Sequence, residues 1–150
     1  MNIDLLPSVT DMLPHREPFL FVDRITAAEP PDRLEAEVRL RPESDFYRGH
    51  FPGNPVTPGV ILLEAMTQAM VLLSILASPP SDRFRYLFAG ADRFRITGGV
   101  APGDLVTLRA DAVVHKGRLV RGEASAWLGD RSVASAELTF LRDRSEGSTD

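Results

Sequence analysis

The sequence predicts an α+β fold in which an antiparallel sheet of about six strands wraps around one long apolar helix. Three observations lead there. Between Val60 and Ala77 only Glu64, Thr67, Gln68 and Ser74 are not apolar, the composition of a helix covered on most sides by protein. After it, nearly everything reads as strand: Arg83–Ile96, Asp104–His115, Arg118–Leu128 and Ser132–Leu141. Before it stands a shorter strand pair, Phe19–Ala28 and Arg33–Leu40. A helix that is apolar nearly all round cannot rest on a one-layer sheet. The sheet must curl around it, or a second subunit must cover what is left bare, so a dimer is expected.

The elements follow in order. Ser8–Met12 suits a short helix stopped by Pro14. The strand pair turns around Pro30-Pro31, and its second member sets Leu34, Ala36, Val38 and Leu40 against Glu35, Glu37 and Arg39, the alternation of a half-buried strand. Arg41–Thr57 is a loop. Thr57 offers an N-cap to the helix and Pro58 its first position, where a missing N–H costs nothing. Ser78-Pro79-Pro80 ends it. Lys116-Gly117 and Gly129-Asp130 supply the turns between the last three strands. Residues 1–142 are expected to form one domain, and 143–150 a polar tail that frays.

With 150 residues, 43% hydrophobic and a formal net charge of −4, the chain has the composition of one soluble domain. Its charge gives no footprint for nucleic acid. The absence of cysteine excludes disulfides, thiolate catalysis and cysteine metal sites. Its three histidines lie in unrelated places with no ligand spacing, so no metal is expected. The opening MNIDLLPSVTDMLPHREPF has an early acid and prolines within its apolar run, unlike a signal peptide; a cytoplasmic location follows as the expectation. The long helix approaches membrane-spanning length. A carboxylate and an amide inside it argue against lipid, where such a charge costs roughly 2.5–3.5 kcal/mol near the bilayer centre.

The chemistry centres on His50 and Glu64, in RGHFPGNPVTPGVILLEAMTQ (Arg48–Gln68). With Glu64 as the zero of a helical wheel, Gln68 falls at about 40°, Thr67 at about 300° and Ser74 at about 280°. The helix therefore carries one narrow polar edge, with Gln68 one turn from Glu64 and able to orient it. A carboxyl group set among apolar side chains tends to keep its proton, which is what a general acid requires. His50 precedes Phe51 and lies in a segment restricted by Pro52, Pro55 and Pro58, so it can be held in fixed register. The spacing between the two leaves open whether they meet within one chain or across a dimer. At the helix start, the N–H groups of Gly59 and Val60 have no intrahelical partner and face outward at the positive end of the dipole, suited to a carbonyl oxygen that gains charge.

These residues carry a resemblance. GHFPGNPVTPGVILLEAMTQ resembles the active-site motif of the β-hydroxyacyl-acyl-carrier-protein dehydratases of the FabZ type. LPHREPFLFVDR (Leu13–Arg24) and the pair LFAGADRFR and VAPGD (Leu87–Arg95, Val100–Asp104) resemble two further signatures of that family. The resemblance spans Leu13 to Leu141 and implies the hot-dog fold, with two sites at the interface of a homodimer or a dimer-based hexamer. It implies that His50 and Glu64 are the catalytic base and acid, contributed by opposite subunits. Gly59 would bind the thioester carbonyl through its N–H, with Val60, Phe51 and Gln68 also lining the substrate site. The reaction implied is removal of water from a (3R)-3-hydroxyacyl thioester carried on acyl carrier protein, giving the trans-2-enoyl thioester, with no metal or organic cofactor. Glutamate at 64 favours the plain dehydratase branch over the isomerising one.

Three positions depart from the family pattern: Thr97-Gly98-Gly99 for a basic residue and proline, Leu87 near a gating tyrosine, and Thr67 for a small apolar residue. They leave both fatty-acid synthesis and a polyketide-like pathway open. A hot-dog thioesterase and a non-catalytic subunit that binds acyl chains or carrier protein are the alternatives. His15, in LPHR, is read as structural, and His115, beside the Lys116-Gly117 turn, as exposed. Arg83, Arg85, Arg93 and Arg95 are read as a solvated face.

Overall fold

The structure is a computed structural model that describes residues 1–145. Six strands form one antiparallel sheet: β1 (Arg24–Glu29), β2 (Arg33–Arg39), β3 (Phe84–Ile96), β4 (Leu105–Lys116), β5 (Leu119–Leu128) and β6 (Arg131–Arg144). Their spatial order is β1-β2-β4-β5-β6-β3. Three helices accompany them, α1 (Val9–Met12), α2 (Phe46–Gly49) and α3 (Gly59–Leu76), with a 3₁₀ turn at Ile3–Leu5. The predicted wrapped-helix architecture is the observed one.

Local chemistry explains most boundaries. Ser8 and Asp11 form a reciprocal capping box at α1, which satisfies two N–H groups that a helix start leaves free. Lys116 pairs with Leu119 and Leu128 with Arg131, leaving two-residue hairpin loops. Gly117 and Gly129 take φ of 61° there, the left-handed region that such turns demand. The turns thus fall on Gly117-Arg118 and Gly129-Asp130, the first one residue later than expected. Strand β6 runs to Arg144 and so takes in the first two residues of the expected tail; residues 146–150 of that segment lie outside the described residues.

Two local expectations fail. Phe19–Asp23 is not strand: the main chain of Phe19, Phe21 and Val22 is bonded by a helix side chain, as described below, and only Asp23 N–H reaches β2, at Glu37 O. The loop 41–57 contains the short helix α2, whose Tyr47 is buried.

The core lies between the concave face of the sheet and α3. Leu62, Met66, Met70, Leu72 and Leu73 of the helix meet Leu34, Leu108, Val120 and Leu138 of the strands, all at 2% exposure or less. Each such side chain contributes about 1.5–3 kcal/mol by leaving water. The fit depends on Gly122 in β5. A Cβ there would stand 2.5 Å from Met70 Cε and 2.6 Å from Sδ, so a larger residue would force the end of the Met70 side chain to move. By length and composition α3 could cross a membrane, yet 61% of it is buried inside the fold.

β3 differs from the other strands. It is an edge strand of 13 residues, none of them buried, and Leu87, Phe88 and Ile96 are 67%, 44% and 45% exposed.

Candidate active site

His50 closes the loop that leads from α2 to α3. Its Nδ1 lies 2.9 Å from the Val56 carbonyl oxygen. A carbonyl only accepts, so Nδ1 is the nitrogen that donates, and in the neutral ring Nε2 holds the lone pair. Main-chain bonds lock the same loop: Val56 N–H to His50 O at 3.0 Å, Phe51 N–H to Asn54 O at 3.1 Å, and Asn54 N–H to Phe51 O at 2.9 Å. The stiffness expected from the prolines is therefore reinforced by hydrogen bonds. Phe51 stacks on the imidazole with 4.1 Å between ring centres and presents its outer face to solvent.

The start of α3 is uncapped. Pro58, not Thr57, holds the N-cap position, and no side chain bonds the first turn. Thr57 is buried and its hydroxyl lies 2.6 Å from that of Tyr47, while its N–H bonds Val100 O at 2.9 Å; the tie to the core removes it from capping. The N–H groups of Gly59 and Val60 are left without a side-chain acceptor. A Cβ at Gly59 would meet Ile96 Cγ1 at 3.0 Å and Cδ1 at 3.1 Å, a contact that the exposed Ile96 side chain can relieve by a small shift. Val60 is 67% exposed at this rim.

Glu64 sits a little over one turn further along, its side chain 23% exposed and so less covered in the single chain than the sequence predicts. Gln68 is fully buried and donates to Glu64 Oε1 at 3.1 Å, as the one-turn spacing anticipates. The amide does more than orient the acid. Its Nε2 donates to Phe19 O at 2.8 Å, and its Oε1 accepts from the N–H of Phe21 at 2.9 Å and of Val22 at 3.4 Å. Gln68 thus stitches the segment 19–22 to the helix, which is why those residues are extended without being a strand. Thr67 turns its hydroxyl back to the Glu64 main-chain oxygen at 2.7 Å, a bond within its own helix.

His15, for which the sequence suggests a structural role, stands beside the acid. His15 Nε2 lies 3.5 Å from Glu64 Oε1, and its ring stacks loosely on Phe19 at 6.5 Å. Arg16 pins this stretch by donating to the main-chain oxygens of Leu13 at 2.8 Å, His15 at 2.7 Å and Thr10 at 2.9 Å. Nothing in the spacing of LPHR reveals a neighbour so distant in sequence.

His115 also departs from its expected place. It is partly buried, with Nε2 2.7 Å from the hydroxyl of Ser74, a fully buried residue at the other end of α3. Burial, and secondarily the charge of Arg142, lower its pKa below the ordinary histidine value. The Thr97-Gly98-Gly99 stretch is firmly tied: Thr97 N–H bonds Val133 O at 2.9 Å and its hydroxyl bonds Ser132 O at 2.9 Å. Arg83, Arg85, Arg93 and Arg95 are exposed, although Arg93 reaches Glu137 at 3.4 Å.

Among the described residues, no hydrogen bond or ion pair joins His50 to Glu64 within the chain. A cleft of about 250 Å³ lies elsewhere, on the outer face of the sheet between Arg93, Asp111, Glu123 and Glu137. The single chain presents a base anchored by a main-chain oxygen and an acid anchored by side chains, each with one reactive atom unengaged.

Residues 13–137 match the family model described as a FabA-like domain. The chain is 38% identical over 144 residues to the 3-hydroxyacyl-acyl-carrier-protein dehydratase FabZ of Anaeromyxobacter sp., covering 93% of this chain and 90% of that protein. It is 39% identical over 129 residues to the FabZ of Legionella pneumophila, covering 85% and 86%. Among solved structures it is similar to a dehydratase heterocomplex from Xenorhabdus doucetiae, with a TM-score of 0.73 at 12% identity over 95% of this chain and 94% of that one. A mutant thioesterase from Pseudomonas aeruginosa gives a TM-score of 0.62 at 17% identity, over 81% of each chain. These two likenesses establish the hot-dog fold.

Proposed function

The chain belongs to the FabA-like family, among the FabZ 3-hydroxyacyl-acyl-carrier-protein dehydratases, and on that premise we propose how its residues carry out the dehydration. The protein is a hydro-lyase that removes water from a 3-hydroxyacyl thioester delivered on acyl carrier protein. His50 Nε2 takes the proton from the carbon next to the thioester carbonyl. The carbonyl oxygen, gaining charge, is held by the N–H of Gly59, with that of Val60 beside it; one such donor is typically worth about 2.7–4 kcal/mol. As the carbon–oxygen bond breaks, Glu64 gives its proton to the departing hydroxyl, and water leaves with the 2-enoyl thioester behind it. The imidazole then loses the proton it took and Glu64 regains one, so nothing is consumed and no cofactor is required.

The observation that carries this reading is the anchoring of His50: with Nδ1 held against Val56 O at 2.9 Å, Nε2 is the ring nitrogen left to act on substrate. Among the described residues, no hydrogen bond or ion pair joins His50 to Glu64 within one chain, and the working site we propose is formed by two copies, each giving one of the pair. Edge strand β3, with its exposed Leu87, Phe88 and Ile96, is the surface such a homodimer covers, because a long apolar edge left in water invites pairing. Dimer-based hexamers and a cytoplasmic setting belong to the same proposal.

Purified protein supplied with a 3-hydroxyacyl thioester should form the conjugated enoyl product, and His50→Ala should remove most of that activity. Release of free thiol instead would mark a thioesterase. Unchanged turnover in His50→Ala would overturn the assignment of the base.

A further inference from the structure

The oxygen that Gln68 holds is also the one that His15 approaches, and this decides which oxygen of Glu64 can carry a proton. The orientation of the Gln68 amide is fixed by its surroundings. Its Oε1 faces the N–H groups of Phe21 and Val22 and its Nε2 faces the carbonyl of Phe19; flipping it would set donor against donor. Gln68 therefore donates to Glu64 Oε1, and that oxygen must accept. His15 Nε2, 3.5 Å from the same Oε1, faces an acceptor too and is matched to it only in the Nε2–H form. Its other nitrogen, Nδ1, is buried and has no hydrogen-bond partner. A second proton on the ring would be an N–H aimed at nothing, so the geometry favours a singly protonated imidazole. Neighbouring charges are turned away: Arg16 onto main-chain carbonyls, and Glu17 onto Arg41 at 2.9 Å.

We infer that His15 is a positioning residue for the dehydration: with Gln68 it holds Glu64 Oε1 as an acceptor, leaving Oε2 as the oxygen that bears and delivers the proton. This rests on the reading of Glu64 as the acid. A neutral donor suits the task. It fixes the carboxyl group in one orientation, whereas a full positive charge at that distance would draw the proton off. Among the described residues Oε2 has no hydrogen-bond partner, which leaves it open toward a substrate. The 3.5 Å separation has room to tighten when substrate closes the site.

The test compares His15→Phe, which keeps a ring against Phe19 but no donor, with His15→Asn, which restores one. Turnover and KM are measured on a 3-hydroxyacyl thioester. His15→Phe should lower kcat by about tenfold or more, with KM changed less than about twofold and the melting temperature close to that of the parent protein. His15→Asn should recover a large part of kcat. In the parent protein, ¹⁵N imidazole shifts should show His15 protonated at Nε2 and bare at Nδ1 near neutral pH, a readout that stands even if a variant misfolds. Parental kcat in His15→Phe, or a His15 protonated at Nδ1, would overturn the inference. Glu64→Gln separates the two levels: full activity there removes the acid itself, while loss there with none in His15→Phe removes only His15.

Discussion

The two ends of α3 are built from the same parts and do opposite things. At each, a polar side chain of the helix meets a histidine from elsewhere in the chain: Glu64 meets His15, and Ser74 meets His115. At the Ser74 end the serine is fully buried and its hydroxyl, the Tyr86 oxygen and His115 Nε2 are all engaged. Ser74 donates its one proton to the Tyr86 oxygen at 3.0 Å, so His115 must donate to Ser74 and cannot act on it as a base. Arg142 closes this end, lying 4.4 Å over the Phe84 ring and donating to Gly117 O and to Ser78 Oγ, each at 3.3 Å. At the Glu64 end one carboxyl oxygen is held and the other is open. A histidine beside a polar group is thus not a reactive pair in itself. What decides is the direction of the protons and whether an atom remains unengaged.

The sharpest break of the comparison is in turnover. Glu64→Gln should lower kcat by about 10²-fold or more, the usual worth of a general acid, while Ser74→Ala should leave kcat within about twofold. Enoyl absorbance measures both, and equal losses would erase the distinction between the two ends. Stability should move the other way. Ser74→Ala strands His115 and Tyr86 without a partner, costing about 1–3 kcal/mol in a denaturant melt, whereas Glu64→Gln should cost less.

Gln68→Leu should lose on both counts, because the same side chain serves the acid and holds the segment 19–22. Leaving Phe19 O and Phe21 N–H unpaired costs about 1–3 kcal/mol for each group that stays buried. If only activity fell, the stitching role assigned to Gln68 would be wrong.

A smaller effect separates the ends by pH. The folded state holds the pKa of His115 below its ordinary value of 6.5, mainly through burial. On acidification the unfolded chain therefore takes the proton first. Stability from this group is intact above about pH 6.5 and declines as pH falls below it. His115→Gln should flatten that part of the decline, read as the difference in melting temperature between variant and parent from pH 7 to pH 5. An identical slope in the two proteins would remove His115 as the cause.

The smallest structural effect is expected at the helix start. In Gly59→Ala the new methyl presses on Ile96, an exposed and yielding side chain, and alanine favours the helix by about 0.8–1 kcal/mol. The melting temperature should hardly change, while kcat falls several-fold, with partial recovery when Ile96→Val is added. A large loss of stability would place the effect in packing and not in the carbonyl-binding N–H.

Patterns that repeat at fixed spacing were legible in the chain: the apolar helix with its polar edge, the alternation in β2, the glycine hairpins, and the one-turn pairing of Gln68 with Glu64. These depend on backbone geometry, which is the same in every protein. Thr57 as a cap, His115 as an exposed residue and Phe19–Asp23 as strand were misjudged for a common reason. Each depends on a partner far away in the chain: Tyr47 for the threonine, Ser74 for the histidine, Gln68 for the strand-like run. A polar atom takes whichever acceptor or donor the fold brings within 3 Å, and local sequence carries no record of that choice.

The sequence by itself determined the wrapped-helix architecture, the family, and the two residues most suited to acid and base chemistry, because periodicity and a dense local motif are short-range properties. Only the tertiary structure decided the anchoring of His50, the four-way engagement of Gln68, and the presence of His15 at the carboxyl group of Glu64. Proton direction is set by distance and angle between atoms, and those exist only once the chain has folded.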